Sequence, residues 1–223
     1  MNAGPNDHYK YLKGNCANSL FFAPVSSADV EEMSLSLRNK PGNINTFSTS
    51  VLKRIKRHVH HVLRHVINLS LRTGIFQDCL KLARVTPIPK GGDSTNACNN
   101  RPISVLPIFS KIFEKLVYKQ LYTYFEQNNI LNDHQYGFRK DKSTAQAFLN
   151  HIQITYDSID SGNFVISVFL DFKKASDTVD HKIVLSKLDF YGIRRGSHVW
   201  LKSYLSERNQ IIVIDGIPPP LLQ

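Results

Sequence analysis

The chain predicts an α+β fold with a helical N-terminal lead-in, and three observations carry that reading. Before residue 81, apolar residues recur at helical spacing. From Leu82 onward, extended runs containing prolines alternate with further amphipathic helices. The run Phe164-Val-Ile-Ser-Val-Phe-Leu170 holds six apolar residues in seven and reads as a central strand buried on both faces.

Taken in order, Ser26 with Asp29 forms a capping box for a short helix carrying Val30, Met33 and Leu37, which ends near Asn39, before Pro41-Gly42. A longer helix is expected from about Thr49 to Leu71, with Leu52, Ile55, Val59, Val62, Val66 and Leu69 as its apolar stripe and Gly74 as its stop. Ala83 to Lys90 reads as an edge strand, because prolines are tolerated there, and Arg101 to Leu106 as a second strand. Pro107 opens a helix that buries Ile112, Phe113, Leu116, Val117, Leu121 and Phe125. Gly137 frees the backbone beside Arg139, Lys140 and Lys142, and Ser143 caps a helix turning Ala147, Phe148, Ile152 and Ile159 inward. Ser161-Gly162-Asn163 turns the chain into the apolar strand. A helix through Ile183, Val184 and Leu188 ends near Gly192, Ser197 caps another through Leu205, and Gln210 to Ile214 forms a last strand.

At 223 residues the chain accommodates one sizeable domain with an extension, divided here into a helical segment over 1–80 and a second part over 81–223. A composition 42% hydrophobic and 21% charged excludes wholesale disorder. The net charge of +10 suits a polyanion, either nucleic acid or, less specifically, an anionic membrane surface. Met33 to Gln77 contains eight Lys and Arg and no acid, so it supplies +8 of that charge. Cys16, Cys79 and Cys98 are too few and too dispersed for a zinc module or disulfide framework, which implies an intracellular setting, nuclear or cytoplasmic. No apolar run of about 18 residues is present, so no membrane partner is expected. The first residues lack the apolar core of a signal peptide, and no internal repeat is present.

Three places carry chemistry without fixing it. The apolar run ends in Asp171, with Asp177 and Asp180 following. An acid at the end of a buried strand requires a metal ion or a cationic partner, unless the strand simply surfaces and caps a helix. On the long helix, Lys53, Arg57, His60, His61 and Arg64 form either a solvated face or a nucleic-acid contact surface. His61 and His65 have the spacing of a helical zinc pair, but Val62 stands where a metalloprotease places its Glu. The basic residues Arg84, Lys90 and Arg101 on the paired strands suit phosphates.

The order of motifs is more specific. Ala83-Arg-Val-Thr-Pro-Ile-Pro-Lys90, Asn100-Arg-Pro-Ile-Ser104, Lys111-Ile-Phe-Glu-Lys-Leu116, Gln135-Tyr-Gly-Phe-Arg139 with Ser143-Thr144, and Phe169-Leu-Asp-Phe-Lys-Lys-Ala-Ser-Asp-Thr-Val-Asp-His181 closely resemble, in sequence, the reverse transcriptase of jockey-like non-LTR retrotransposons. The resemblance covers residues 21 to 217. It implies the fingers and first half of the palm of a right-hand polymerase. The activity implied is copying of RNA into DNA from an RNA template, a DNA primer and deoxynucleoside triphosphates. The cofactor implied is a pair of Mg²⁺ (or Mn²⁺) ions held by carboxylates. By the same resemblance, Asp171 is the first palm carboxylate and catalytic metal ligand, with the backbone carbonyl of Phe172 as an extra ligand. Arg84, Lys90 and Arg101 lie near the incoming triphosphate or template, and Arg139 shapes the nucleotide pocket. For Asp177 and Asp180 a structural role at the turn outweighs catalysis.

Two departures qualify the resemblance. Ser176 stands where the family carries an aromatic that screens the sugar 2′ position, which implies weaker rejection of ribonucleotides. The chain also contains no adjacent Asp-Asp pair, the family's second metal-binding element, and ends where the segment before that pair begins. These 223 residues alone are therefore expected to be inactive as a polymerase. The alternatives are a non-catalytic nucleic-acid-binding remnant and a chain that does not fold stably because half its sheet is missing.

Overall fold

The computed structural model describes residues 12, 16–39, 48–91, 99–172, 175 and 177–213. Among them are helices α1 (Ser27–Ser36), α2 (Thr49–Thr73), α3 (Ile108–Gln127), α4 (Thr144–Asp160), α5 (His181–Phe190) and α6 (Arg195–Leu205). The strands are β1 (Leu82–Pro89), β2 (Asn100–Val105) and β3 (Asn209–Ile212). The chain is therefore α+β with a small mixed sheet, and it divides into two compact units: residues 1–124 with 181–223, and residues 125–180.

In the first unit, local chemistry sets the helix ends. Ser26 Oγ accepts from the Asp29 amide at 3.1 Å, and Asp29 Oδ2 accepts from the Ser26 amide at 2.9 Å, closing the capping box of α1. Gly74 ends α2 in the left-handed conformation at φ +72°, and its N–H donates to Ser70 O at 2.9 Å. The buried face of α2 differs from the expected stripe. Leu52, Leu63, Ile67 and Leu71 are buried with His60 and Ser70, whereas Val62 and Leu69 are exposed. Apolar residues occur on two adjacent faces of this helix, and packing against α1 and α6 selects between them. Through that packing α2 shares a core with α6 within the first unit.

Aromatic rings organise this core. Trp200 stacks on Tyr204 at 5.5 Å and meets Phe76 and Phe22 edge-on at 5.4 and 5.7 Å, and Phe76 meets Phe113 edge-on at 5.7 Å. Trp200 Nε1–H donates to Ser70 Oγ at 2.9 Å, and that hydroxyl in turn donates to Ile75 O, so the indole's polar handle is satisfied inside the core. Ser197 is not a helix cap as expected. It is buried inside α6, where its Oγ accepts from the Phe22 amide at 2.9 Å, and the N-cap position falls at Arg194.

The sheet order is β2-β1-β3, with β1 antiparallel to β2 and parallel to β3. The expected edge strand β1 is thus central along Leu82–Val85, and its prolines explain how it can be. Lys90 N–H donates to Asn99 O at 2.9 Å, which fixes the parity of the ladder. Pro87 and Pro102, which face each other, then occupy non-hydrogen-bonded positions and lose no ladder bond to one another. On its other side, β1 pairs with β3 only over Leu82–Val85, before either proline is reached.

In the second unit, Ser143 caps α4 as expected, accepting from the Gln146 amide at 3.2 Å. Gly162 turns the chain at φ +75°, but beside Arg139 the left-handed residues are Phe138 (φ +61°) and Asp141 (φ +59°), not Gly137. The apolar run overturns its expectation. Residues 163–172 form neither strand nor helix, and Phe164, Ile166 and Leu170 are 101%, 88% and 81% exposed. A strand buried on both faces needs a ladder on each side. The three described strands pair only with one another, so this run has none. The α4 face meant to cover it is also open, with Phe148 and Ile159 exposed, correcting their expected inward packing. Of α4, His151 reaches the run, through Ser167 Oγ at 3.2 Å and an edge-on contact with Phe169 at 5.9 Å.

Candidate nucleic-acid interface

The β1–β2 register decides which strand residues can act together. Directly opposed residues project to the same face, and successive residues alternate. Arg84 opposes Val105, Thr86 opposes Ile103 and Ile88 opposes Arg101, while Lys90 follows at the same parity. Arg84, Lys90 and Arg101 therefore belong to one face of the ribbon, with Thr86, Ile88 and Ile103 between them. Val85 projects to the opposite face and is buried there. The outer face is both basic and apolar, since Ile88 and Ile103 are 47% and 43% exposed. It offers cations to phosphates beside surfaces on which sugars or bases can rest. Arg84 is half-buried, and its Nε is buried without a hydrogen-bond partner.

The other predicted residues lie in the second unit. Arg139 Nε and Nη2 bind both carboxylate oxygens of Glu126 at 3.2 and 2.8 Å, and Nη1 donates to Asn132 O at 2.9 Å. This bidentate fork holds the 126–139 loop closed, so the side chain acts here by positioning the loop. Asp171 and Phe172 are exposed on the apolar run, as are Asp177 and Asp180 beyond it. Asp171 therefore pays no burial cost that would demand a compensating cation. Ser176 lies outside the described residues.

The carboxylate and the Phe172 carbonyl are hard oxygen donors of the type Mg²⁺ prefers. Among the described residues, however, no three His, Cys, Asp or Glu side chains gather in a group that could hold a metal. The donor set does not by itself fit a two-ion site, and the zinc reading of His61 and His65 gains no third ligand.

On the long helix, Arg57, His61 and Arg64 are exposed, while His60 faces the core, where burial lowers its pKa. Lys53 Nζ donates to Leu37 O at 2.6 Å and Lys56 pairs with Glu31, so these two lysines hold α1. Two features had no signal in the sequence pattern. Lys81 is buried and ion-paired to Asp78 at 2.8 Å. Glu114 accepts from Tyr204 Oη at 2.8 Å, beneath an Arg208 guanidinium 4.6 Å from the centre of the Tyr204 ring. Burial raises the pKa of both Glu114 and Tyr204. Such pairings depend on tertiary neighbours that no local spacing reveals.

An α+β chain whose sheet presents a basic ribbon of strands is suited to a phosphate-rich partner. Residues 88–218 match the family model described as reverse transcriptase (RNA-dependent DNA polymerase), more than half of the chain, so the chain belongs to that family. It is 30% identical over 201 residues to a probable RNA-directed DNA polymerase from transposon BS of Drosophila melanogaster, covering 85% of this chain and 21% of that protein. To the RNA-directed DNA polymerase from mobile element jockey of the same organism it is 26% identical over 213 residues, covering 93% of this chain and 23% of that protein. A third relative, from the R2 element of Popillia japonica, is 28% identical over 150 residues, covering 67% and 20%. The chain is a jockey-like, non-LTR reverse transcriptase fragment, and it spans about a fifth of the length of the curated relatives it matches.

Proposed function

We propose that this chain supplies the fingers and the first half of the palm to an RNA-directed DNA polymerase. Its partners in that role are an RNA template, a DNA primer and deoxynucleoside triphosphates. The observation that carries the reading is the family match over residues 88–218, with the single-faced grouping of Arg84, Lys90 and Arg101 in support. In this reading those three cations contact template or triphosphate, and Arg139 holds its loop through Glu126 and Asn132. Asp171 supplies the first carboxylate for a divalent cation and Phe172 a carbonyl. The described residues leave the donor set incomplete, so these 223 residues alone are not expected to extend a primer.

The test is a template–primer assay on the purified chain. The expected result is binding of an RNA–DNA duplex that weakens steeply with salt, without primer extension. Extension would overturn the proposed inactivity. Absence of any binding would overturn the nucleic-acid reading. Binding that never yields extension, even when the rest of a polymerase is supplied, would favour a non-catalytic binding protein.

A further inference from the structure

We propose that the solvent face of α2 and the cavity at its C-terminal half bind single-stranded nucleic acid, with the cavity receiving one unpaired base. The inference rests on the family reading only for the choice of nucleic acid among polyanions, and it concerns a surface separate from the strand ribbon.

The first observation is a stripe. Arg54, His58, His61, His65, Asn68 and Arg72 succeed one another at alternating spacings of four and three residues, which puts them in one row along the helix. The five basic members are all exposed, and Arg57 and Arg64 flank them. No acid occurs on α2. From residue 54 to 72 the row extends roughly 27 Å, at about 1.5 Å per residue. Among the described residues, no salt bridge engages Arg54, Arg64 or Arg72, whereas Lys53 and Lys56 are committed to Leu37 and Glu31.

The second observation is where the row leads. A cavity of about 340 Å³ opens at its C-terminal end, walled by Phe22, Pro24 and Leu69 and edged by His65, Asn68 and Arg72. Its walls are held in place. Phe22 is braced edge-on against Trp200 at 5.7 Å, and its amide donates to Ser197 Oγ at 2.9 Å. The Asn68 side chain is bound at both ends to the main chain of Val25, accepting from N at 2.7 Å and donating to O at 3.0 Å. A rigid aromatic and apolar slot bordered by cations suits the face of a base and the phosphate beside it, which is how sequence-tolerant single-strand binding works. A base paired within a duplex could not enter. An anionic membrane would meet the cations, with the exposed Val62 and Leu69 beside them, but would leave the slot empty.

The test is fluorescence anisotropy on the full chain with an unstructured labelled oligonucleotide, RNA in one arm and DNA in the other, and with the corresponding duplex. The expected result is tighter binding of the single strand in both arms. In the Arg64→Ala/Arg72→Ala variant the log–log salt slope should fall by roughly 1.4, about 0.7 for each phosphate no longer neutralised. Arg64→Lys should keep the slope, because a lysine still neutralises a phosphate. Leu69→Trp, which fills the slot from its exposed rim, should weaken single-strand binding about tenfold and leave duplex binding unchanged. Equal binding of single strand and duplex, or single-strand binding indifferent to these variants, overturns the inference. If Arg84→Ala/Arg101→Ala on the ribbon abolishes binding and the α2 variants do not, the α2 site fails while the family reading stands. If the unaltered chain binds no nucleic acid, both fail.

Discussion

Gly192 is the position where one methyl group should do the most damage. Its backbone sits at φ +92°, outside the region an L-residue adopts at low cost, and an added Cβ would collide with the Asn18 carbonyl and the Tyr124 hydroxyl. That hydroxyl donates towards Asn18 O at 2.9 Å and Tyr191 O at 3.0 Å, and burial with the neighbouring Cys16 thiol pushes its pKa up to about 12. Leu20 N–H also donates to Gly192 O at 2.9 Å, tying the N-terminal segment to the turn before α6. For Gly192→Ala the backbone strain costs about 1–3 kcal/mol. Displacing the hydroxyl from its acceptors adds about 1 kcal/mol for each hydrogen bond broken. Reduced freedom of the unfolded chain returns about 0.4–1 kcal/mol. The expected net loss is about 3–4 kcal/mol. Gly91 is the control, with φ +100° and, among the described residues, no atom within 4 Å of an added Cβ. Gly91→Ala therefore carries the strain term alone, about 1 kcal/mol after the same offset. Urea denaturation of both variants reads the difference as a shift in midpoint at constant slope. Equal losses would refute the claim that close approach, and not only φ, dictates glycine at position 192.

Other consequences follow from the same geometry. Burial raises the pKa of Glu114, and the hydrogen bond from Tyr204 and the nearby Arg208 and Lys111 only partly oppose it. The unfolded chain therefore releases this proton first, so stability is full below the ordinary carboxylate pKa and falls as pH rises through the higher folded value. Glu114→Gln should flatten that fall, and urea midpoints that track each other across the acid range would contradict it. Arg139→Ala should loosen the 126–139 loop by about 1–3 kcal/mol by removing the charge-assisted bidentate bond to Glu126, seen as faster amide exchange there. Unchanged exchange would mean the fork holds nothing. In a completed enzyme, Ser176→Phe should sharpen rejection of ribonucleotides, and equal ribo- and deoxyribonucleotide incorporation before and after the change would end that idea.

What could be read from the sequence was what depends on near neighbours. The Ser26–Asp29 box, the Ser143 cap and the Gly74 stop are local hydrogen-bond chemistry, and all three stand where the spacing put them. The basic strand residues were legible one by one, but their shared face follows from pairing Arg101 with Ile88, a register set by the ladder. Ser197 misled because a serine near a helix start suits a cap equally well as a buried acceptor for a distant amide. Phe164 to Leu170 misled for a deeper reason. An apolar run states that a strand could be buried, but burial requires neighbours, and the described strands provide none to it. Asp171 thus remains a candidate by kinship and position in the chain, not by an assembled cluster of acids.

The most direct measurement of the central claim grafts these 223 residues in place of the matching segment of a full-length relative and follows RNA-templated primer extension. The account predicts that the chimera extends the primer and that Asp171→Asn abolishes extension while duplex binding persists. Extension that survives Asp171→Asn would contradict it.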